Sequence, residues 1–203
     1  MKFSFINKKS PLILASASPR RKQLLTQMGL PFRSVASHVS EKEPSGDTAE
    51  ISRLLAEKKA LQVYAKNKES WILGADTVVA IDHHILGKPE NRDHAIQMLT
   101  LLNGKEHRVI TGICILTPAG EVVHSEAVTT RVRFIRLTRQ QIEDYIRTGE
   151  SYGKAGSYAI QGIGSFMVER ISGSYTNVVG LPLCALIRAL MTVGALKRFP
   201  LSQ

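Results

Sequence analysis

The sequence predicts an α/β fold: a central mixed, largely antiparallel, twisted sheet flanked by helices. Three observations lead there. Helix-period stretches alternate with short apolar runs along the whole chain. Two long strand-like runs, "HRVITGICILTP" and "EVVHSEAVTTRVRFIRL", follow one another across a turn at residues 119–120. The chain has 203 residues, 43% of them hydrophobic, which is enough for one sizeable core in one or two closely joined lobes.

The elements follow in order. An apolar run opens "LILASASPRRKQLL" as a buried strand. Ser18 can cap a helix with Pro19 at its first position, where a missing N–H costs nothing. Leu24, Leu25 and Met28 supply the inward face of that helix, and Gly29 with Pro31 marks its stop. "PFRSVAS" reads as a second short strand, and the polar loop "HVSEKEPSGDT" ends at a helix cap near Thr48. Over residues 49–66, Ile51, Leu54, Leu55, Lys58, Lys59, Leu61 and Val63 describe an amphipathic helix. "WILGADTVVAI" is strand-like and leads through residues 82–84 into "ILGKP".

A helix over residues 92–102 turns Ala95, Ile96, Leu99 and Leu102 inward, ahead of the two long strands. Thr138 can cap the next helix, "RQQIEDYIRTG", which stops at Gly149. The glycine- and serine-rich stretch "GKAGSYAIQGIGSFMVERISGSYTNVVGLP" precedes a last helix that Pro182 can begin. No repeat, low-complexity tract or linker interrupts the chain, so residues 1–203 read as a single domain with residues 1–10 as an N-terminal extension.

The formal charge of +10 favours anionic partners without choosing among nucleotides, nucleic acid and membrane surfaces. Aromatic residues are only 6%, and no long basic stripe stands out, which argues against a nucleic-acid-binding module. Arg131 and Arg133 share one face of a strand in "RVRFIR", with Arg136 beyond, and a solvated sheet face accounts for them. Cys114 and Cys184 lie in apolar runs and read as free buried thiols, which fits a reducing cytoplasm. "MKFSFINKKS" has no signal-peptide pattern, and "LPLCALIRALMTVGAL" is short for a bilayer and broken by Arg188, so no membrane association is expected.

Four places can carry chemistry. In "ASASPRR", helix amides near Ser18 together with Arg20 and Arg21 suit a phosphate; a plain capped helix with two solvated arginines is the alternative. In "WILGADTVV", Asp76 interrupts an apolar strand just before Thr77; an unpaired charge there is costly, so Asp76 faces a cleft, a cation or a partner. Lys88 in "LGKP" is one candidate partner. Glu41 and Glu43 in the polar loop can help hold a hard cation on a polyphosphate, or can be solvated surface. In "KAGSYAIQG", Lys154 and Gln161 can orient phosphate or read a base edge, unless the glycines simply make a tight turn. Walker-type, GxGxxG and G-x-S-x-G motifs are absent, and the six histidines have no metal-ligand spacing.

These segments together resemble the Maf family of nucleoside triphosphate pyrophosphatases. The likeness covers residues 12–190, through "ASASPRR", "LAEKKA", "GADTVV", "LGKP", "LNGKEHRVITG", "KAGSYAIQG" and "GSYTNVVGLPL" in order. The resemblance implies an elongated Maf/ITPase-like architecture of two lobes around a deep substrate cleft, and a homodimer. It implies hydrolysis of a nucleoside triphosphate to the monophosphate and pyrophosphate with a divalent cation, Mg²⁺ or Mn²⁺.

On the same resemblance, Asp76 accepts the proton of the attacking water or holds the metal, with Glu41 as the loop glutamate. Ser18, Arg20, Arg21, Lys59, Lys88 and Lys154 match the positions that hold phosphate, and Arg20, Thr77 and Gln161 match the branch acting on dTTP and UTP. His38, Ser40 and Gly153 stand where the family commonly has acidic residues. The alternatives it leaves are a nucleotide-binding regulator of cell division and septum formation, or a 7-methyl-GTP pyrophosphatase.

Overall fold

Leu12, Ile13 and Leu14 are wholly excluded from solvent, as an apolar run inside a parallel sheet must be. In the computed structural model, which describes residues 3–39 and 46–200, they form strand β1 (Leu12–Leu14). There follow α1 (Pro19–Gln27), β2 (Phe32–Ser34), α2 (Thr48–Tyr64), β3 (Ile72–Ile81), β4 (His84–Leu86) and α3 (Arg92–Leu102). The chain continues through β5 (Glu106–Leu116), β6 (Val122–Phe134), α4 (Arg139–Arg147), β7 (Val168–Ser172), α5 (Tyr175–Val179) and α6 (Leu183–Thr192).

The fold is the expected mixed α/β. One seven-stranded sheet has the order β2-β1-β3-β5-β6-β7, with β4 paired to β3. β1 runs parallel to both β2 and β3, whereas β3 with β4 and β6 with β7 are antiparallel. The chain divides into two compact units: Met1–Asp76, Thr111–Val128 and Gly180–Gln203 in the first, Thr77–Ile110 and Thr129–Val179 in the second.

In the first unit, α2 lays one stripe against the sheet: Ile51, Ser52, Leu55, Ala56, Lys59, Ala60 and Val63 are buried. Their alternating spacing of three and one keeps them on a single helical face. Leu54 and Leu61, expected on that face, are instead 48% and 41% exposed. They stand a heptad apart on the opposite side, where their apolar character is no guide to burial. The helix cap is Asp47, one residue before the expected Thr48, and its carboxylate accepts from the Glu50 amide at 3.2 Å.

Two residues of the N-terminal segment make contacts with the rest of the first unit. Ile6 is buried and donates its amide to Ala195 O at 2.9 Å, while the Trp71 indole N–H donates to Ser4 O at 2.9 Å. Cys114 is buried, as expected, but Cys184 is exposed on α6; an apolar sequence neighbourhood on an amphipathic helix does not say which face a residue takes. Among the described residues no helix is long and apolar enough to cross a membrane.

In the second unit, Thr138 and Gln141 form a capping box at the start of α4, and the Asn91 side chain caps α3. The rings of His107, Phe134 and Tyr158 meet edge to face with centroids 4.8–5.4 Å apart. His107 is 2% exposed, and burial holds its imidazole down at a pKa of about 4. Its Nε2 lies 2.9 Å from the Tyr158 hydroxyl, whose own pKa burial pushes upward. The glycine- and serine-rich stretch, read as irregular from its composition, also contains β7 and the short α5.

Candidate active site

The strand order sets where a ligand can sit. From β1 the chain passes through α1 to β2 on one side, then through α2 back across to β3 on the other. All three strands are parallel, and the chain changes sides of β1 between β2 and β3, a switch point of the kind at which open parallel sheets take ligands beyond the carboxyl end of a strand such as β1. Residues 15–18 leave β1 at that end. Asp76 lies on β3 three residues beyond Leu73, which pairs with Leu14.

The turn after β1 is braced from inside. Ser16 Oγ accepts from the Ser18 amide at 3.2 Å and from Arg21 Nη1 at 3.0 Å. Arg21 Nε donates to Gly180 O at 2.8 Å, and the guanidinium is buried. Ser34 Oγ donates to Ser16 O at 2.6 Å, fastening β2 to the same turn. Ser18 stands at the N-cap of α1 with Pro19 inside, but its hydroxyl makes no capping bond. The two adjacent arginines therefore differ: Arg21 is a brace within the fold, and Arg20 is half-exposed on the first turn of α1.

Lys59 and Asp76 meet because α2 lies directly on the sheet. Gly74 shares a strand face with Asp76, and a Cβ at Gly74 would sit 2.0 Å from Ala56 O. A Cβ at Gly112 on β5 would sit 2.2 Å from Ser52 O. Only glycine permits that approach, and it brings the next turn of α2 against the strand. Lys59 Nζ donates to Asp76 Oδ1 at 2.5 Å, with both side chains 7% exposed.

The second unit carries the remaining candidates. Thr77 begins it, half-buried, directly after Asp76. Lys88 is exposed on a turn whose preceding carbonyl, Gly87 O, accepts from the Gly156 amide at 3.0 Å. That bond joins the "LGKP" turn to the "KAGS" turn. Lys154 Nζ donates to the carbonyl of Glu150 and, at 3.4 Å, to that of Tyr152. Gln161 is half-buried on the same loop.

Two organising residues escaped the sequence reading. Ser16 holds both the Ser18 amide and Arg21, and Glu150 accepts from the amides of Ile163 and Gly164 at 3.1 and 2.8 Å. Neither lies in a periodic pattern or a recognisable cap motif; the "SxS" spacing after β1 is the one local signal for Ser16. Glu41 lies outside the described residues.

Among the described residues no group of three or more His, Cys, Asp and Glu side chains could hold a metal. A carboxylate such as Asp76 beside a polyphosphate is a donor set for Mg²⁺, which is usually bound through one or two carboxylates, waters and phosphate oxygens. Asp76 offers one carboxylate to such a cation, and its Oδ1 accepts from Lys59 Nζ at 2.5 Å.

Known proteins resemble this chain over most of its length. The dTTP/UTP pyrophosphatase of Ruminiclostridium cellulolyticum is 49% identical over 174 residues, 85% of this chain and 90% of that protein. Those of Geobacter metallireducens and Halalkalibacterium halodurans are each 46% identical, covering 92% and 93% of this chain and 98% and 99% of their own. A solved nucleoside-triphosphatase / dITP/XTP pyrophosphatase from Mycobacterium abscessus is 15% identical over 90% of this chain and 97% of its own, with a TM-score of 0.44, too distant to bear on the site. The family model described as Maf-like protein matches residues 11–193, which carry the braced turn, the Lys59–Asp76 pair and the Glu150 loop. The chain belongs to the Maf family.

Proposed function

We infer that this protein is a nucleoside triphosphate pyrophosphatase that hydrolyses dTTP and UTP to the nucleoside monophosphate and pyrophosphate, clearing such nucleotides and their modified forms from the cellular pool. The observation that carries the reading is the 46–49% identity, over most of both chains, to proteins of that activity.

The roles of individual residues are part of this proposal. A water hydrogen-bonded to the Asp76 carboxylate passes its proton there as the oxygen attacks the anhydride between the α- and β-phosphates. The bridging bond breaks, and pyrophosphate leaves. Lys59, bonded to Asp76, keeps that carboxylate oriented in the resting protein, and its ammonium offsets phosphate charge once substrate binds. Arg20 and the amides near Ser18 meet phosphate on the turn that Arg21 braces, and Lys88 and Lys154 add positive charge. Arg20, Thr77 and Gln161 select the pyrimidine. Asp76 and Glu41 would hold the Mg²⁺ or Mn²⁺, which supplies charge neutralisation on the phosphate oxygens.

A cytoplasmic setting is supported by the two unpaired cysteines; a homodimer rests on the family likeness and is read by light scattering. The test of the activity is a panel of dTTP, UTP, CTP, ATP, GTP and 7-methyl-GTP with Mg²⁺ or Mn²⁺, scored by pyrophosphate release. Preference for dTTP and UTP is expected. Preference for 7-methyl-GTP would move the protein to the other branch, and no release from any triphosphate would overturn the reading.

A further inference from the structure

Glu150 closes a loop on which two of the candidate residues sit. Its carboxylate accepts from the Ile163 amide at 3.1 Å and from the Gly164 amide at 2.8 Å. Its main-chain carbonyl accepts from Lys154 Nζ. One residue therefore holds the near limb of the loop through its backbone and the far limb through its side chain. Gln161 lies between these anchors, two residues before Ile163.

The far limb is shaped for this contact. Gly162 has φ +102°, a backbone conformation side-chain-bearing residues rarely adopt, and a Cβ there would stand 2.1 Å from Glu150 Oε1. The glycine admits both the turn and the carboxylate. Two amide bonds to one ionised carboxylate are charge-assisted and stronger than neutral ones. Ile163 and Phe166 of the far limb are exposed, while Gly164 and Met167 are buried.

We propose that Glu150 is the positioning residue of the base-reading loop: by clamping Ile163 and Gly164 it fixes Gln161 for a pyrimidine base. The proposal rests on the dTTP/UTP reading above. Because Lys154 is anchored on the Glu150 carbonyl, changing the side chain leaves that lysine's partner in place. The effect therefore falls on base selection and binding more than on bond cleavage.

Glu150→Gln puts an amide donor opposite one of the two N–H groups and removes the charge. Steady-state kinetics of this variant should show KM for dTTP raised about tenfold or more, with kcat changed by less than about threefold, the split expected when a contact acts on binding. The ratio of kcat/KM for dTTP over GTP should fall by about tenfold or more. Gly162→Ala attacks the same clamp from its other side and should lose selectivity likewise. The double variant should then be little worse than either single one, since they disable one device. Thermal unfolding of each variant separates loss of the clamp from loss of the fold.

A loop that is only structural would lower activity on dTTP and GTP equally, and that result overturns the proposal. So does a folded Glu150→Gln protein whose dTTP-over-GTP ratio stays within about twofold of the wild type. A wild-type protein with no preference for dTTP over GTP overturns the pyrimidine reading itself and this inference with it.

Discussion

Lys59 Nζ lies 2.5 Å from Asp76 Oδ1, in a setting where each side chain is only 7% exposed. Two opposite charges this deeply buried are a poor way to hold a helix on a sheet. Their desolvation offsets much of their attraction, and apolar residues of similar volume often do as well or better. Packing alone thus gives no reason for a buried Lys59–Asp76 pair.

Breaking this pair from one side should be costly. Lys59→Met leaves the Asp76 charge buried without its partner and should destabilise the protein by about 3–5 kcal/mol. Lys59→Met combined with Asp76→Leu should recover most of that loss. Urea unfolding of the wild type, the single and the double variants checks this; a loss under about 1 kcal/mol for Lys59→Met would place the pair effectively in solvent.

Close approach of α2 to the sheet should be equally exacting. Gly74→Ala sets a methyl group 2.0 Å from Ala56 O, a backbone atom that moves only with the helix. A cost of about 1–3 kcal/mol or more is expected, with reduced turnover because the shift carries Lys59 away from Asp76. Leu54→Gln and Leu61→Gln, on the exposed side of the same helix, should change stability by no more than about 0.5 kcal/mol. Thermal unfolding of the three variants gives the comparison.

His107 makes stability depend on pH. Its imidazole has a pKa of about 4 when folded, against an ordinary 6.5, because burial disfavours the charged form. Between those values the unfolded chain binds more protons, so stability rises with pH across the window. The contribution is fully present above pH 6.5 and is lost as pH falls towards 4, by about 3 kcal/mol in all. His107→Phe should flatten this limb. Urea unfolding from pH 4 to 7 measures it, and parallel curves for the two proteins would contradict the assignment.

The two thiols should separate cleanly. Burial, and then the Glu57 charge, pushes the Cys114 thiol up to about 12, whereas Cys184 is exposed. An aromatic disulfide reagent at neutral pH should modify Cys184 alone in the folded protein and both cysteines in urea, the thiolate being the reactive species. Fast labelling of Cys114 in the folded state would show that its neighbourhood opens.

Local signals made most of the elements legible. Pro19 after Ser18, Thr138 followed by Gln141, and the gap between Leu116 and Val122 each specify a boundary through the chemistry of a few adjacent residues. Asp76 stood out because a carboxylate in an apolar strand needs an explanation. Its true partner, Lys59, lay hidden in a helix whose "AEKKA" run holds two lysines; only the stripe of small residues facing Gly74 decides which one is buried. Leu54 and Leu61 misled for the same reason, since apolar character does not fix a helix's rotation once a lysine occupies the buried stripe. Ser16 and Glu150 act on amides and guanidinium groups brought to them by the fold, which no local pattern announces.

Asp76→Asn is the decisive variant for the proposal that Asp76 takes the proton of the attacking water. Pre-steady-state turnover of dTTP and equilibrium binding of a non-hydrolysable dTTP analogue should be measured on the same preparation. Binding within a few-fold of wild type is expected, with hydrolysis slowed by about 100-fold or more. Hydrolysis within a few-fold of wild type in a folded, nucleotide-binding Asp76→Asn protein would contradict the proposal.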